Sequence, residues 1–383
     1  MLNKCVWMLL LLVLVPALAL ADETRPLSIE VLWEMDRVGS PVISPAGEHV
    51  VVPVTHWDVE TDESETRLWL LSTEGDVQRP LTAEGASAGS PVFSPDGSTL
   101  AFTSRRGDDD AAQIYLLPMD APGEATRLGD VPTGVSALRW VGEHLYFVTR
   151  VWLDKTWEEM AEQIEADRDS KVTAHQWNAL PYSHWDHWID EDRQAHVFRI
   201  PAAGGEVEAV TQAMGRELPR SSQGLGSYDV HPDGTWIAFT SDSRDGTSVD
   251  PDIDLFLGRI GGDAAENLTA ENEAGDGNPM FSPDGATLAY TRQAIPGFYA
   301  DNVNLVLYDL DAGTRREITG DWDRSATGLV WAPDGEGFFG TIADEGTWRV
   351  YFIDAASGDP RAVTAETSFG GLSIADDGTL VAS

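Results

Sequence analysis

Short apolar runs separated by Gly, Pro, Asp and Ser fill most of the chain, too short and too often broken for helices of ordinary length. One unit recurs. Ser40-Pro41-Val42-Ile43-Ser44-Pro45-Ala46-Gly47 returns as Ser90-Pro91-Val92-Phe93-Ser94-Pro95-Asp96-Gly97. It appears again around Pro232-Asp233-Gly234, Pro283-Asp284-Gly285 and Pro333-Asp334-Gly335, with degenerate copies ending at Gly142 and Gly378. Proline pre-sets φ at the first central turn position, Asp suits the next, and Gly takes the conformation that other residues resist. Each unit therefore reads as strand, tight turn, strand.

After each turn comes a second strand, such as Leu100-Ala101-Phe102, Ile237-Ala238-Phe239 or Leu288-Ala289-Tyr290. A third follows at Ile114-Tyr115-Leu116, Leu255-Phe256-Leu257, Leu305-Val306-Leu307 and Val350-Tyr351-Phe352. A short fourth ends in an apolar-Thr pair: Leu81-Thr82, Val210-Thr211, Leu268-Thr269, Ile318-Thr319 and Val363-Thr364. Four strands in about 45 to 50 residues is the blade of a β-propeller. The pattern predicts an all-β fold over residues 22–383: a propeller of about seven four-stranded blades. The last is incomplete, because Ser383 follows the start of its second strand. An unpaired strand end is a liability, and the expectation is a chain cut short at 383.

From Gly142 to Gly234 the spacing nearly doubles without a second Pro-Asp-Gly unit. The third blade is expected to carry an insertion over about 151–194. Within it Trp157, Met160, Ala161 and Ile164 fall at helical spacing and predict a short amphipathic helix. The insertion also holds five of the chain's 14 tryptophans: Trp152, Trp157, Trp177, Trp185 and Trp188. They are expected to pack the insertion on its blade or to meet a second domain or substrate.

The N-terminus changes the compartment. Lys4, the apolar run from Leu9 to Leu14 and Ala19-Leu20-Ala21 read as a secretory signal over residues 1–21. The run is too short for a stable membrane span, so the mature protein is expected to have none and to be periplasmic or extracellular. The one cysteine, Cys5, lies inside the signal, which excludes disulfides, a thiol nucleophile and Cys-ligated metal in the mature chain. With 64 Asp plus Glu against 25 Lys plus Arg, the formal charge is −39. That argues against nucleic acid and anionic lipid as partners. It fits either cationic ligands or a surface kept soluble by charge.

The Ser-Pro-Asp-Gly-x-x-Leu-Ala-Phe unit is similar to the WD40-like repeat of the periplasmic TolB propeller. The whole arrangement more closely resembles the N-terminal propeller of the prolyl oligopeptidase family of serine peptidases, in its acylaminoacyl-peptidase and dipeptidyl-peptidase-like branch. Three features carry this. The segment Leu27 to Val38 leads straight into Gly39-Ser40-Pro41, one blade has a long insertion, and that insertion ends in His184-Trp185-Asp186-His187-Trp188 before a charged turn and a strand. The resemblance implies a propeller that gates short peptides into a C-terminal α/β-hydrolase domain of the same protein. Neither Gly226-Ser227 nor Gly371-Leu372-Ser373 completes a Gly-x-Ser-x-Gly elbow. No catalytic residue carries over, and the chain alone is expected not to hydrolyse peptides. The alternative is a non-enzymatic TolB-like propeller that binds protein partners.

Candidate contact residues for substrate or a second domain are Trp157, Glu158, Glu159, His184, Trp185, His187 and Trp188. In dipeptidyl-peptidase relatives, paired glutamates on a propeller helix hold the substrate's free amino terminus. Glu158-Glu159 resembles that pair, and two solvated glutamates on a helix face would look the same. His184 and His187, with Asp186 and Asp190, could ligate zinc but read more simply as aromatic packing. Asp250, Asp252 and Asp254 alternate as a calcium loop begins, yet Leu255 stands where glycine is needed and the bidentate glutamate is missing. Asp108-Asp109-Asp110 reads as an exposed loop. The sequon Asn267-Leu268-Thr269 falls on the apolar-Thr repeat, which accounts for it without sugar. No metal or cofactor is expected.

Overall fold

The computed structural model describes residues 26–178, 180–190, 192–220, 227–244, 251–365 and 367–383. The signal segment and Asp250 lie outside these residues. Strands dominate, and every pairing between them is antiparallel. Blade 2 sets the pattern: Ala88–Phe93, Thr99–Ser104, Gln113–Pro118 and Thr126–Leu128 pair in chain order. Blades 3 to 6 repeat it, and blade 1 gains a fifth strand, Arg37–Val38, on the end of His49–Asp58. Six sheets are thus complete. The seventh repeat is a two-stranded hairpin, Leu372–Ile374 with Leu380–Ala382, where the sequence predicts an incomplete blade. It sits between blades 1 and 6: Ser373 Oγ accepts Ile43 N–H (3.1 Å), and Asp376 N–H donates to Pro45 O (3.0 Å). No helix among the described residues is long and apolar enough to cross a membrane.

The apolar triplets of the second strands show how blades stack. Leu100, Ala101 and Phe102 are all fully buried, so both faces of the sheet are covered. Side chains alternate between faces along a strand. Leu100 and Phe102 pack with Val51 and Leu68 of blade 1, while Ala101 packs with Leu145 and Phe147 of blade 3. Blades 4 and 5 repeat the large-small-large arrangement. Ile237 and Phe239 face blade 3 and Ala238 faces blade 5; Leu288 and Tyr290 face blade 4 and Ala289 faces blade 6. In two seams a bulky pair meets an alanine of the sheet before it, Leu145 and Phe147 against Ala101, and Leu288 and Tyr290 against Ala238; the core is a ring of inter-blade seams.

Two repeated polar devices hold each blade. In the Pro-Asp-Gly turn of blade 2, Ser94 Oγ donates to Asp96 Oδ1 (2.6 Å) and accepts Thr99 N–H (3.0 Å), and Asp96 Oδ1 also accepts Ser98 N–H (3.0 Å). These bonds, led by that from Ser94, pull the Asp96 carboxyl down to about 2. Ser282 and Asp284 repeat the geometry in blade 5. In blade 4, His231 replaces the serine, and its Nδ1 faces Asp233 N–H (3.2 Å). Blade 6 has Ala332 and keeps only the bond from Glu336 N–H to Asp334 Oδ1 (3.0 Å). Gly97, Gly234, Gly285 and Gly335 all take φ near +72 to +74, the left-handed region open to glycine at no steric cost. The second device is the apolar-Thr pair, which lies just past the fourth strand. The hydroxyls of Thr82, Thr211, Thr269, Thr319 and Thr364 accept the N–H groups of Leu68, Val197, Leu255, Leu305 and Val350, each in a third strand (2.8 to 3.0 Å). Blade 2 lacks the threonine, and Gln113 holds Val131 through its amide instead (2.8 and 3.0 Å).

Candidate functional site

First strands run toward the Pro-Asp-Gly turns and second strands run back, so every second-to-third connection emerges on the opposite face. The insertion is one of these connections. It leaves after Val151 and returns at Gln194, which pair with each other as the last rung of that ladder. Its helix, α1, spans Trp157–Asp169. A capping box starts it: Thr156 Oγ1 accepts Glu159 N–H (3.3 Å), and the Glu159 carboxylate accepts Thr156 N–H (2.8 Å). Trp157 packs edge-on against Phe198 (5.4 Å), and Met160 is buried in the seam of blades 2 and 3 with Trp152 against it. Arg168 reaches Asp110 in the blade 2 loop (2.7 Å). Trp157 is therefore an anchor, Glu159 is engaged in the helix start, and Glu158 stands in solvent.

Beyond the helix, Trp177, Tyr182 and Trp188 form an aromatic cluster, with Trp177 and Trp188 stacked at 4.9 Å. A small hairpin, Ser183–His184 with His187–Trp188, lifts Trp185 into solvent at its tip, 86% exposed with φ +55. His184 and His187 pair across it. His187 Nε2 lies 3.3 Å from Asp186, both exposed. No group of three or more His, Cys, Asp or Glu side chains among the described residues could hold a metal. Of the candidates, the structure brings His184, Trp185, His187 and Trp188 together on this hairpin. Trp157 and Glu159 belong to the helix base.

Asp190 ties the insertion down. Its Oδ1 accepts the N–H groups of Asp192 and Arg193, its Oδ2 takes Arg193 Nε (2.6 Å), and its carbonyl takes Arg220 Nη1 (3.3 Å). Here a band of ionisable groups begins that runs under the same face through blades 3 to 5. Burial pushes Glu217 up and lowers Arg150. Further on, Asp254 Oδ2 accepts Asn267 Nδ2 (2.6 Å), and Thr269 Oγ1 donates to Asp254 Oδ1 (3.3 Å). Asp276, 3% exposed, accepts Asn272 Nδ2 on Oδ2 (3.0 Å), while its Oδ1 meets no donor. Burial, reinforced by Asp254, pushes Asp276 up to about 7. The Nε of Arg292, across the ladder, and Asp252 Oδ1 are likewise buried without partners. His196, also buried, is pushed down to about 4 by desolvation and is neutral.

Sequence reasoning did not find this band. It weighed Asp252 and Asp254 as the start of a calcium loop and disfavoured that reading; in the structure the Asp252 N–H donates to Asp242 Oδ1 (3.1 Å), and the Asp254 carboxylate holds Asn267 and Thr269 within blade 4. The Asn267 amide also accepts Thr269 N–H (2.9 Å), so the sequon is built into the blade. Asp109, expected in an exposed loop, is sunk against Tyr115 (2.7 Å) and Arg127 (3.2 Å).

Large exposed apolar side chains gather on the insertion face. Trp57 and Val59 end the long hairpin of blade 1, Trp185 and Trp188 tip the insertion, and Ile295, Phe298 and Tyr299 (93% exposed) crown the blade 5 loop. That loop is rigidly built, with Asp301 Oδ2 accepting the N–H groups of Ala294 and Ile295 (2.7 and 2.8 Å). Trp236 is the exception, just past a Pro-Asp-Gly turn.

This architecture is matched by known proteins. Dipeptidyl-peptidase 5 of Porphyromonas gingivalis is 24% identical over 358 residues, covering 92% of this chain and 51% of that protein. The chain is a homologue of dipeptidyl-peptidase 5. Its counterpart in Aspergillus fumigatus is 23% identical over 366 residues, 89% of this chain and 50% of that one. The chain spans about half the length of the curated relatives it matches. Among solved structures, acylaminoacyl peptidase of Pyrococcus horikoshii shares the fold with TM-score 0.66 and 19% identity, over 89% of this chain and 48% of that one. The β-propeller domain of the Trilobed protease from Pyrococcus furiosus gives 0.59 at 16% identity, over 89% and 87%. No family model matches the chain.

Proposed function

We propose that this chain is the propeller of an exported serine peptidase of the prolyl oligopeptidase family, which covers an α/β-hydrolase domain and admits short peptides to it. The observation that carries the reading is the match to dipeptidyl-peptidase 5 over nearly all of this chain but half of that protein. The apolar side chains on the insertion face support it. A propeller acting alone would have little reason to expose Trp185, Phe298 and Tyr299, whereas a face covered by a second domain would. The signal-like N-terminus supports export. Nothing specific favours a TolB-like binding role.

The test is the native protein from its source cells. The expected result is an exported polypeptide about twice this length that releases dipeptides from dipeptidyl-nitroanilides and loses activity to a serine-directed phosphonofluoridate. The isolated chain should show no turnover. A native protein of this chain's mass, inactive on every such substrate, would overturn the reading.

A further inference from the structure

The insertion forms an open cavity of about 510 Å³ for which the gating role gives no account. Trp152, Trp177 and Trp188 wall it, with Ile164 of α1. The walls are held in place: Trp177 Nε1 donates to Ile189 O (2.8 Å), Trp177 stacks on Trp188, and the Arg193 guanidinium lies over Trp152 (5.1 Å). Three carboxylates reach the cavity. That of Asp190 is engaged by Arg193, which neutralises both. The other two, Asp167 and Asp192, have no cation within bonding distance among the described residues, and Asp167 meets only the Gln163 amide (2.8 Å). The last turn of α1 reaches the cavity through Asp167, and the C-terminal end of a helix carries partial negative charge.

Indole faces, two uncompensated carboxylates and a helix C-terminus all favour one kind of guest, a cation with an apolar stem. The volume lies within the roughly 300–1,000 Å³ of ligand pockets. We propose that this cavity binds the side chain of a lysine or arginine in a peptide. The stem would lie along Trp177 and Trp188, with the charged head at Asp167 and Asp192. As a specificity device the site rests on the peptidase reading above; as a binding site it stands without it.

Calorimetric titration of the purified chain at low salt with Nα-acetyl-lysine methylamide tests the proposal, with the norleucine analogue as neutral isostere. The lysine compound should bind, the norleucine compound at least tenfold more weakly. The double variant Asp167→Asn/Asp192→Asn and, separately, Trp188→Ala should each weaken lysine binding at least tenfold, with circular dichroism unchanged. Four results overturn the proposal: no lysine binding, equal binding of norleucine, lysine binding unaffected by either variant, or binding of glycyl-glycine methylamide through its free amine in place of acetyl-lysine. Lysine binding by the chain alongside an inactive native protein would sink only the peptidase reading. An active native protein whose propeller ignores lysine would sink only this site.

Discussion

At the scale of single residues, the threonine past each fourth strand has an outsized role. Thr319 is almost fully buried, and its hydroxyl is the acceptor for Leu305 N–H (2.8 Å). Valine has nearly the same shape but no acceptor, so a buried backbone donor would be stranded, at a cost of about 1–3 kcal/mol. Serine keeps the oxygen. In urea melts Thr319→Val should lose more stability than Thr319→Ser; equal losses would show that the methyl matters and the bond does not. Asp276 gives a second test. Its folded-state pKa of about 7 stands above the ordinary 3.8, so the native state holds the proton more tightly than the unfolded chain. Its stabilising contribution is complete below about 4 and is lost as pH rises through about 7. Asp276→Asn cannot ionise, and its stability should change less than that of the parent between pH 5 and 8. Parallel pH profiles for the two proteins would refute the assignment.

Elements show which features local chemistry can announce. The Pro-Asp-Gly turns, the triplets such as Leu100-Ala101-Phe102 and the helix at Trp157 were legible, because turn chemistry and periodicity act over a few residues. Thr156-x-x-Glu159 also spells a capping box, a readable signal that gives Glu159 a structural task. The buried band was not legible. Asp254 and Asp276 meet only because blades 4 and 5 stack, and burial, not sequence pattern, sets their chemistry. Nor do the repeats reveal that their first strands bulge. The register slips between Gly89 and Val92, between Ser136 and Arg139, and between Gly277 and Met280, with Ser90, Ala137 and Asn278 at φ +48, +51 and +49. Gly328 takes φ +57 at the equivalent place in blade 6. Such positions resist β-branched side chains. Asn278→Val and Asn278→Gly both lose the bond to Thr291 (3.0 Å), so their difference isolates the backbone. Valine should be less stable than glycine by about 1–3 kcal/mol, and equal melting curves would show that the bulge relaxes.

For the whole molecule, charge is the largest departure from an ordinary domain. Even if each of the 25 basic residues found an acidic partner of its own, all of the excess behind the −39 would remain unpaired. Two effects of salt then compete. Screening weakens surface ion pairs such as Arg67–Glu84 (2.8 Å) and Arg168–Asp110, each worth about 0–1 kcal/mol. It also weakens the repulsion among the surplus carboxylates, which opposes the compact state. The surplus spreads over every blade, while the exposed pairs are few, so relief of repulsion should win. The Debye length falls from about 30 Å at 0.01 M to about 8 Å at 0.15 M, so most of the gain should come in that range. The melting temperature should rise steeply from 10 to 150 mM sodium chloride and then level. A general salting effect on apolar burial would instead grow on toward molar salt and be stronger for sulfate at equal ionic strength. A flat or falling curve would mean that the carboxylates are compensated where they stand, and that the acidity does not strain the fold.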